Sequence, residues 1–379
     1  MSSPKLQVSR RIRATPYTPR VEALGVSEFS VVNHSILPKG YQRSVVDDYW
    51  HLKEHVQLWD VGCQRQVELL GTDAAYLAQL MTPRDLSQAT VGQCLYAPLI
   101  DHEAGMLNDP IILKIAEDRY WLSIADADVL LWAKGLALGM NLQVEVHEPD
   151  IWPLAVQGPK SDELVSRILG DSVRDIRFFR FGVYSFDGHE VVVARTGFSK
   201  QGGFELYPLG NNLALSLWDT LWEAGEGLDL APGTPNLIER IEGGLLSYGN
   251  EMTLEHNPLE CNLDHYCQLD GSVDFIGRDA LLRVAQSGPS RRIRGLLFGD
   301  EPAGPCRHPW AIRVHGESIG EISSVAWSPR FQRNVALGMI DRGHWNAGTQ
   351  VVVVPNEHTQ LNGQIMNLPF DEVDIVAGG

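Results

Sequence analysis

The order of apolar and polar positions along this chain predicts the same structural unit twice. Residues 67–81 have the pattern of a strand, a glycine turn and an amphipathic helix, and residues 154–169 repeat that order. Gly158 takes the place of Gly71 between strand and helix. In both helical parts the apolar residues recur every three to four positions or so, which gathers them on one face.

A β-hairpin pattern and a second helix follow each unit. Short apolar runs at 110–115 and 119–124 form the first hairpin, and residues 183–194 form the second around the turn signal Asp187-Gly188. The helical patterns lie at 127–139 and 212–224. Two such halves predict an internally duplicated α+β body with a groove between the halves.

Beyond the second half, the pattern predicts one more helix, a linker and a small barrel. The helix covers 235–249, with Pro235 near its start and Gly249 after its end. The linker is segment 287–294. Short strands separated by Gly, Pro and Asn turns follow at 295–298, 311–314, 319–324, 335–340 and 350–354. This alternation is typical of a separate β-barrel.

The length and charge of the chain exclude several classes of function. With 379 residues, two or three packed units are expected. A net charge of −17 argues against binding to the phosphates of a nucleic acid or to an anionic membrane surface. No apolar run reaches the length of about 18 residues that a membrane span needs.

The cysteines and the N-terminus indicate where the protein works. The five cysteines are odd in number and show no CxxC spacing, which favours reduced thiols over a disulfide framework or a zinc knuckle. The N-terminal segment is basic but has no apolar core, so it does not have the pattern of a signal peptide. We therefore expect a soluble protein in the cytoplasm.

One metal-binding pattern occurs in the chain. His51 and His55 frame an H-x-x-E-H motif, and on a helix the two imidazoles would lie one turn apart, where they could chelate zinc. However, residues 50–59 also have the apolar spacing of an ordinary amphipathic helix, and no third ligand stands out. We therefore expect no metal site.

Residues 197–207 are the most informative segment for chemistry. A strand over 191–195 enters it, and a second strand over 204–207 leaves it after Gly202 and Gly203, which permit a tight turn. The alternation of the second strand places Glu205 and Tyr207 on one face. A carboxylate and a phenol side by side could hold a flat, hydrogen-bonding heterocycle. The alternative is a hairpin with a solvated tip.

Two further segments have both a functional and a structural interpretation. Asp109 stands between a glycine turn and an apolar strand, so it is either a turn residue that caps its own backbone or a groove carboxylate with a shifted pKa. Asn33 and His34 interrupt the apolar run 29–38. They are either a hydrogen-bonded core pair or a pair that faces a ligand.

Together these segments resemble the glycine-cleavage T-protein superfamily, whose members bind tetrahydrofolate. The motifs that carry this likeness lie at 106–111, 155–159, 195–205 and 240–249. Over nearly the whole chain, the sequence is similar to the branch of the superfamily that demethylates dimethylsulfoniopropionate. The segments that match this branch lie at 9–18, 33–38, 49–61, 199–203 and 235–242.

The resemblance implies a three-domain cloverleaf around a central folate channel. Residues 1–62 and 150–287 would form a discontinuous α+β domain, residues 63–149 a second α+β domain, and residues 288–379 the C-terminal β-barrel domain. The implied cofactor is tetrahydrofolate, and the implied partner is a small-molecule methyl donor. A homodimer is compatible with the resemblance.

The resemblance also implies roles for individual residues. Asp109 corresponds to the catalytic carboxylate near N5 of folate. The implied cofactor contacts are Tyr96, Asp109, Ser123, Phe198, Glu205 and Arg240. The implied donor contacts are Asn33, His34, Phe198 and Tyr207.

Departures from the demethylase pattern leave the methyl donor open. Val32, Ser35, Ile36, Leu95 and Phe198 replace residues of that branch, so aromatic faces are lost where a cation would be expected to bind. The alternatives are a betaine, a methylated amine or a methoxy compound as donor, or a folate-binding protein without turnover. A neutral donor would need a general acid, for which the chain offers His34 or Tyr207.

Overall fold

The structure is a computed structural model that describes residue 9 and residues 11–370. The basic N-terminal segment and the end of the predicted barrel domain therefore lie partly outside the described residues. The helices are α1 (Thr18–Ala23), α2 (Val45–Glu54), α3 (Ala74–Leu80), α4 (Val129–Gly139), α5 (Ser161–Leu169), α6 (Asn211–Ala224), α7 (Leu237–Glu242) and α8 (Arg278–Ser287).

The strands of the α+β body come in two sheets and two separate hairpins. They are β1 (Glu28–Val32), β2 (Ser35–Gly40), β3 (Val56–Asp60), β4 (Gln66–Leu70), β5 (Cys94–Tyr96), β6 (Leu99–Ile100), β7 (Met106–Asn108), β8 (Ile111–Ala116), β9 (Arg119–Ser123), β10 (Glu145–His147), β11 (Leu154–Gln157), β12 (Phe181–Phe186), β13 (His189–Ala194), β14 (Gly203–Tyr207) and β15 (Leu230–Gly233). The barrel strands are β16 (Arg291–Phe298), β17 (Trp310–Val314), β18 (Glu317–Ser328), β19 (Arg333–Asp341), β20 (Gln350–Asn356) and β21 (Thr359–Met366).

A six-stranded sheet forms the first half of the body, in the order β12-β13-β14-β11-β3-β15. All its pairs are antiparallel except β15 with β3. Helices α5 and α6 cover one face through a core that includes Val156, Leu206 and Leu217. Because side chains alternate along a strand, Trp59 and Glu205 project from the opposite face.

A five-stranded sheet, in the order β10-β4-β9-β8-β5, forms the second half. Helices α3 and α4 pack on one face around a core that includes Val67, Leu77 and Leu122. The other face meets the six-stranded sheet, and Trp121 of β9 contacts Tyr207 of β14 within one apolar cluster. The predicted duplicated body with its groove thus corresponds to two sheets packed face to face, each with helices outside.

The third part of the molecule is a closed barrel in the order β16-β19-β18-β17-β20-β21. The predicted α+β class and C-terminal barrel are confirmed. A sixth strand, β21, was not predicted, and the predicted linker is wrong over 291–294 because these residues already belong to β16. Alternation of exposed and buried residues in β21 is irregular, which weakens its signal.

Two predicted helices end earlier than their patterns indicated. The helix predicted over 235–249 ends at Glu242, because Gly243 and Gly244 follow and Gly244 adopts a positive φ of 65°. The helix predicted over 50–59 ends at Glu54, and residues 56–60 form strand β3, between β11 and β15 in the sheet. Tertiary pairing of β3 with β11 overrides the helical spacing there.

We propose that the chain forms three domains. The first is discontinuous and comprises residues 1–62 and 150–287, the second comprises residues 63–149, and the third comprises residues 288–379. The membership of the sheets supports it, since β3 and β11–β15 share one sheet and β4, β5 and β8–β10 share the other. No helix among the described residues is long and apolar enough to cross a bilayer.

Candidate active site

Glu205 lies in the middle of the inner face of the six-stranded sheet. Its register partners are Ala155 on β11 and Ala194 on β13, two small residues. Gly203 begins this strand with a φ of 145°, and a Cβ there would lie 2.2 Å from the carbonyl oxygen of Val156. The strand can approach β11 this closely because residue 203 is glycine.

The Glu205 carboxylate is buried and holds a network of hydroxyl donors. Its Oε2 accepts hydrogen bonds from Thr196 Oγ1 at 2.5 Å and from the Tyr207 hydroxyl at 3.3 Å. Burial raises the pKa of Glu205, and the hydrogen bonds from Thr196, Tyr207 and Gln64 act in the opposite direction. The predicted placement of Glu205 and Tyr207 on one face is therefore what the structure shows.

The facing sheet completes this network from β4 and β9. The Gln66 amide donates to Ser123 Oγ at 3.0 Å and to the carbonyl of Gln64 at 2.9 Å. Its own Oε1 is buried and has no hydrogen-bond partner. Ser123 in turn forms a hydrogen bond with the Tyr207 hydroxyl. Burial raises the pKa of Tyr207, and the bond with Ser123 acts in the opposite direction. We call Gln64, Gln66, Ser123, Thr196, Glu205 and Tyr207 the Glu205 cluster.

Asp109 follows β7 and directly precedes Pro110, which favours an extended backbone at residue 109. Its Oδ2 accepts a hydrogen bond of 2.8 Å from the Tyr96 hydroxyl, while its Oδ1 is buried without a partner. Burial raises the pKa of Asp109 to about 7, the Tyr96 bond lowers it, and the charge of Glu251 adds to the rise. Asp109 is therefore a buried carboxyl whose pKa burial raises, and the hydrogen bond from its own backbone N–H, which lowers that pKa, is also the contact expected of a residue that caps its own backbone.

The neighbouring Asn108 has the same incomplete hydrogen bonding. Its Oδ1 accepts from the backbone N–H of Ala125 at 3.0 Å, and its Nδ2 is buried without a partner. Unpaired buried polar atoms are rare and call for an explanation. Here they lie at consecutive positions, 108 and 109, and a bound ligand with its own donors and acceptors would satisfy them.

Arg240 on α7 joins the body to the barrel. Its guanidinium donates to Glu251 Oε2 at 2.8 Å, to Ser324 Oγ at 2.7 Å and to the carbonyl of Leu245 at 3.1 Å. Glu251 also accepts from the backbone of Ser247 at 2.8 Å. The side chains of Arg240 and Glu251 are almost completely buried, at 7% and 0% exposure. The guanidinium predicted to contact folate is therefore fixed by protein partners.

Asn33 and His34 form the turn between β1 and β2, and both have positive φ, 50° and 59°. Asn33 is buried, and its amide donates to the carbonyls of Cys63, Ile124 and Ala125 while accepting from Ala127. His34 is exposed, and its Nε2 lies 3.8 Å from Asp128 Oδ1. They are not a core pair, because Asn33 points inward and His34 points to solvent.

Phe198 is half-buried at the tip of the β13–β14 hairpin. It packs on a cluster that includes Leu52, Trp59 and Val61. The tip is not free in solvent, because Ser199 Oγ donates to Gln157 Oε1 at 2.7 Å.

The same tip is also attached to α7. The Gln201 amide donates to Glu239 Oε1 at 2.7 Å, and Lys53 Nζ lies 3.1 Å from Glu239 Oε2. Glu239 is buried, so this pair holds the hairpin against the helix that carries Arg240. The tip is therefore attached to α7 through Gln201, while Gly197, Lys200 and Gly202 of the same tip are exposed.

The H-x-x-E-H histidines have other partners. His51 Nε2 lies 2.9 Å from the carbonyl of Asp229, and His55 Nδ1 lies 3.0 Å from Lys160 Nζ. A lysine ammonium next to an imidazole disfavours a cation at that nitrogen. Within the described part of the chain, no group of three or more His, Cys, Asp or Glu side chains could hold a metal ion.

Sequence reasoning missed five residues of this region: Trp59, Gln64, Gln66, Thr196 and Glu251. Trp59 and Gln66 occupy inner-face positions of β3 and β4, where strand alternation is a signal. Glu251 lies in a loop, and nothing in its local sequence indicates that its carboxylate pairs with Arg240.

Two family models match the chain. The GCVT N-terminal domain matches residues 17–271, and the glycine cleavage T-protein C-terminal barrel domain matches residues 291–371. The chain therefore belongs to the glycine cleavage T-protein family, as its motifs predicted.

Individual relatives agree with this assignment. The chain is 49% identical to the dimethylsulfoniopropionate demethylase of Ruegeria pomeroyi over 91% of its own length and 94% of that protein. It is 31% identical to the aminomethyltransferase of Symbiobacterium thermophilum, covering 86% of this chain and 89% of that one. The crystal structure of glycine cleavage system aminomethyltransferase T from Bartonella henselae has the same fold, with a TM-score of 0.84 at 24% identity over 95% of this chain and 98% of that one.

Proposed function

We propose that this protein is a tetrahydrofolate-dependent demethylase that moves a methyl group from dimethylsulfoniopropionate to N5 of tetrahydrofolate. The products are 5-methyltetrahydrofolate and 3-(methylthio)propionate. The observation that carries the proposal is the 49% identity to a dimethylsulfoniopropionate demethylase over almost the full length of both chains.

The residues present fit tetrahydrofolate. Its ring and amino N–H groups need acceptors, and Asp109 Oδ1 and Gln66 Oε1 are buried acceptors without partners. Glu205 adds a carboxylate among hydroxyl donors. We propose that Tyr96, Asp109, Ser123, Phe198, Glu205 and Arg240 hold the cofactor.

Asp109 is the proposed catalytic residue. When bound, tetrahydrofolate supplies N5 as the methyl acceptor. With its pKa raised to about 7 by burial, Asp109 has both protonation states available near neutral pH. In the ionised state its carboxylate favours positive charge that develops close to it, and the surrounding protein keeps this interaction strong by excluding water.

The donor site does not need a proton donor. A sulfonium leaves as a neutral thioether, so orientation and aromatic faces are what the protein must provide. We propose Phe198 and Tyr207 as donor contacts, together with Asn33 and His34 at the β1–β2 turn. Within this set, Asn33 acts by fixing the segment that follows Ser123.

The test is to incubate the purified protein with tetrahydrofolate and dimethylsulfoniopropionate and to measure 5-methyltetrahydrofolate by liquid chromatography. The same assay with glycine betaine, dimethylglycine and a methoxy compound examines the other donors. Product from another donor alone would replace the proposed substrate. If tetrahydrofolate binds, as seen by quenching of tryptophan fluorescence, while every donor is inert, the protein binds folate without turnover.

The setting of the reaction is also a proposal. We propose a cytoplasmic enzyme that uses small molecules and neither nucleic acid nor membrane, and the net charge of −17 supports this. A homodimer stays a prediction, which light scattering after gel filtration would test.

A further inference from the structure

Asn108 is the last residue of strand β7 and is connected to both groups of residues proposed to hold the cofactor. It immediately precedes Asp109 along the chain. Its Oδ1 accepts a hydrogen bond of 3.0 Å from the backbone N–H of Ala125. Ala125 lies two residues beyond Ser123, which belongs to the Glu205 cluster. Asn108 is therefore joined to Asp109 by the chain and to the segment that carries Ser123 by a hydrogen bond.

That hydrogen bond fixes the orientation of the Asn108 side-chain amide. A backbone N–H needs an acceptor, so the carbonyl oxygen of the side chain faces Ala125 and the NH2 group is directed elsewhere. The side chain has 0% exposure, and its Nδ2 has no hydrogen-bond partner in the described part of the chain. A buried donor left unpaired costs about 1–3 kcal/mol, so this amide has free energy to gain from a ligand that accepts a hydrogen bond.

The unpaired atoms around Asn108 match the hydrogen-bonding groups of a pterin. In the Glu205 cluster and at positions 108 and 109, three buried side-chain atoms have no partner: Gln66 Oε1 and Asp109 Oδ1, which are acceptors, and Asn108 Nδ2, which is a donor. The pterin ring of tetrahydrofolate has several N–H groups, which need acceptors. It has one oxygen, the carbonyl at C4, which needs a donor. Asn108 supplies that donor.

The charges in this region favour a neutral acceptor over a carboxylate. The pKa of Asp109 is raised by burial and further by the charge of Glu251. The pKa of Tyr248 is likewise raised by burial and further by the charges of Asp109 and Asp126. A carboxylate of the methyl donor bound at Asn108 would add another negative charge to this acidic region, whereas a carbonyl oxygen adds no net charge.

We propose that the side-chain amide of Asn108 donates a hydrogen bond to the carbonyl oxygen at C4 of the pterin ring. The inference rests on the proposed function, because it concerns the cofactor named there. It makes Asn108 a binding residue that distinguishes a 4-oxo pterin from a 4-amino pterin. A site that contains a buried hydrogen-bonding group rejects an analogue that cannot pair with it, because the group then stays unpaired.

The test compares the binding of tetrahydrofolate with that of its 4-amino analogue, tetrahydroaminopterin, by quenching of tryptophan fluorescence. Asn108→Leu removes the donor, so the ratio of the two dissociation constants should shift towards the 4-amino compound by roughly tenfold to a hundredfold relative to the wild type. Asn108→Asp keeps an acceptor for Ala125. When it is ionised, at about pH 9, it presents an oxygen in place of the NH2 group and should shift the ratio in the same direction.

Asn334→Leu is the matched control, because Asn334 is a buried asparagine whose amide is paired at both ends. It donates to the carbonyls of Phe298 at 3.1 Å and Glu301 at 2.8 Å, and it accepts from the backbone N–H of Ala303 at 2.9 Å. This variant should lower the melting temperature and leave the ratio of the two dissociation constants unchanged. Circular dichroism melts establish that the Asn108 variants are folded.

The outcomes separate this proposal from the proposed function. A ratio that changes by less than about twofold in both Asn108 variants would overturn the proposal. An unchanged ratio together with weaker binding of the methyl donor, measured by calorimetry, would assign the amide to the carboxylate of the donor and overturn it as well. Because the comparison uses binding alone, it stays decisive for a wild type that binds tetrahydrofolate without turnover, the result that refutes the proposed function. A wild type that binds neither pterin would refute both.

Discussion

The Tyr96 hydroxyl donates a hydrogen bond of 2.8 Å to Oδ2 of Asp109 and leaves the other carboxyl oxygen without a partner. Burial is the largest effect on Asp109 and raises its pKa to about 7, while the hydrogen bond from Tyr96 acts in the opposite direction. The phenol therefore favours the ionised carboxylate, the state proposed to act in methyl transfer.

Tyr96→Phe should move the acidic limb of the kcat–pH profile to higher pH. The variant removes a bond that lowers the pKa of Asp109, so ionisation requires a higher pH, by about one unit for one charged hydrogen bond. Tyr266→Phe is the matched control, because this ring packs on Tyr96 at 5.0 Å between centroids. An acidic limb that stays in place in Tyr96→Phe would contradict the assignment.

Asp109→Ala should lower kcat by roughly 10²–10³, the effect of losing one preorganised electrostatic contact. Asp109→Asn keeps the shape of the side chain and removes the charge. An equal loss in both variants means that the charge matters, whereas full activity of Asp109→Asn would show that the residue has only a structural role. The KM for tetrahydrofolate, measured in the same assays, should change much less.

Glu251→Gln should lower the free energy of unfolding by about 3 kcal/mol, because it leaves the buried Arg240 guanidinium without its counter-charge. The exposed pair of Arg20 and Asp219, 2.7 Å apart, is the control, and Asp219→Asn should cost less than about 1 kcal/mol. Urea denaturation measures both variants.

A second readout separates the role of Glu251 in stability from its effect on the site. Its charge raises the pKa of Asp109, so Glu251→Gln should move the acidic limb of kcat to lower pH, opposite to Tyr96→Phe. Movement in the same direction as Tyr96→Phe would argue against a direct electrostatic effect.

Asp60→Asn should make stability less dependent on pH. Burial raises the pKa of Asp60 to about 7. Hydrogen bonds from Thr15 Oγ1 to Oδ2 at 2.6 Å and from the Gly62 N–H to Oδ1 at 3.0 Å act in the opposite direction. Since an unfolded aspartate has a pKa of about 3.9, the folded state binds the proton more tightly, and stability falls as pH rises through this range.

The size of this effect follows from the same linkage. Between about pH 5 and pH 8 the wild type should lose about 2–3 kcal/mol through Asp60, and the asparagine variant should not. Urea denaturation at these two pH values measures the difference. Parallel pH profiles for the two proteins would show that the carboxyl is ionised throughout.

Phe198→Trp distinguishes a sulfonium from a bulkier or neutral donor. Tryptophan offers the strongest cation–π face, so for a sulfonium site the variant should bind the donor more tightly by about 0.5–1 kcal/mol. Where the donor needs the space beside Trp59 and Val61, overpacking should weaken binding by about 1–3 kcal/mol. The KM for dimethylsulfoniopropionate shows whether the variant binds the donor more tightly or more weakly, and the KM for tetrahydrofolate is the control.

The local pattern of the sequence determined most of the elements and some of the site. Strand alternation predicted that Glu205 and Tyr207 share a face, and they do, because side-chain direction in a strand follows directly from position. The duplicated strand–helix units were predicted for the same reason, since each strand and helix buries one face set by its own periodicity.

Tertiary structure decided the contacts that give these residues their chemistry. Arg240 meets Ser324 because α7 packs against barrel strand β18, far away in sequence, and it meets Glu251 because the loop after α7 folds back on the helix. Segment 50–59 became half helix and half strand because β3 gained partners on both sides. The raised pKa of Asp109 depends on burial by several elements. The periodicity of the sequence indicates which face of a helix or strand is buried. It does not indicate which residue lies across the packed interface or how much water a side chain loses, because both depend on how the whole chain folds.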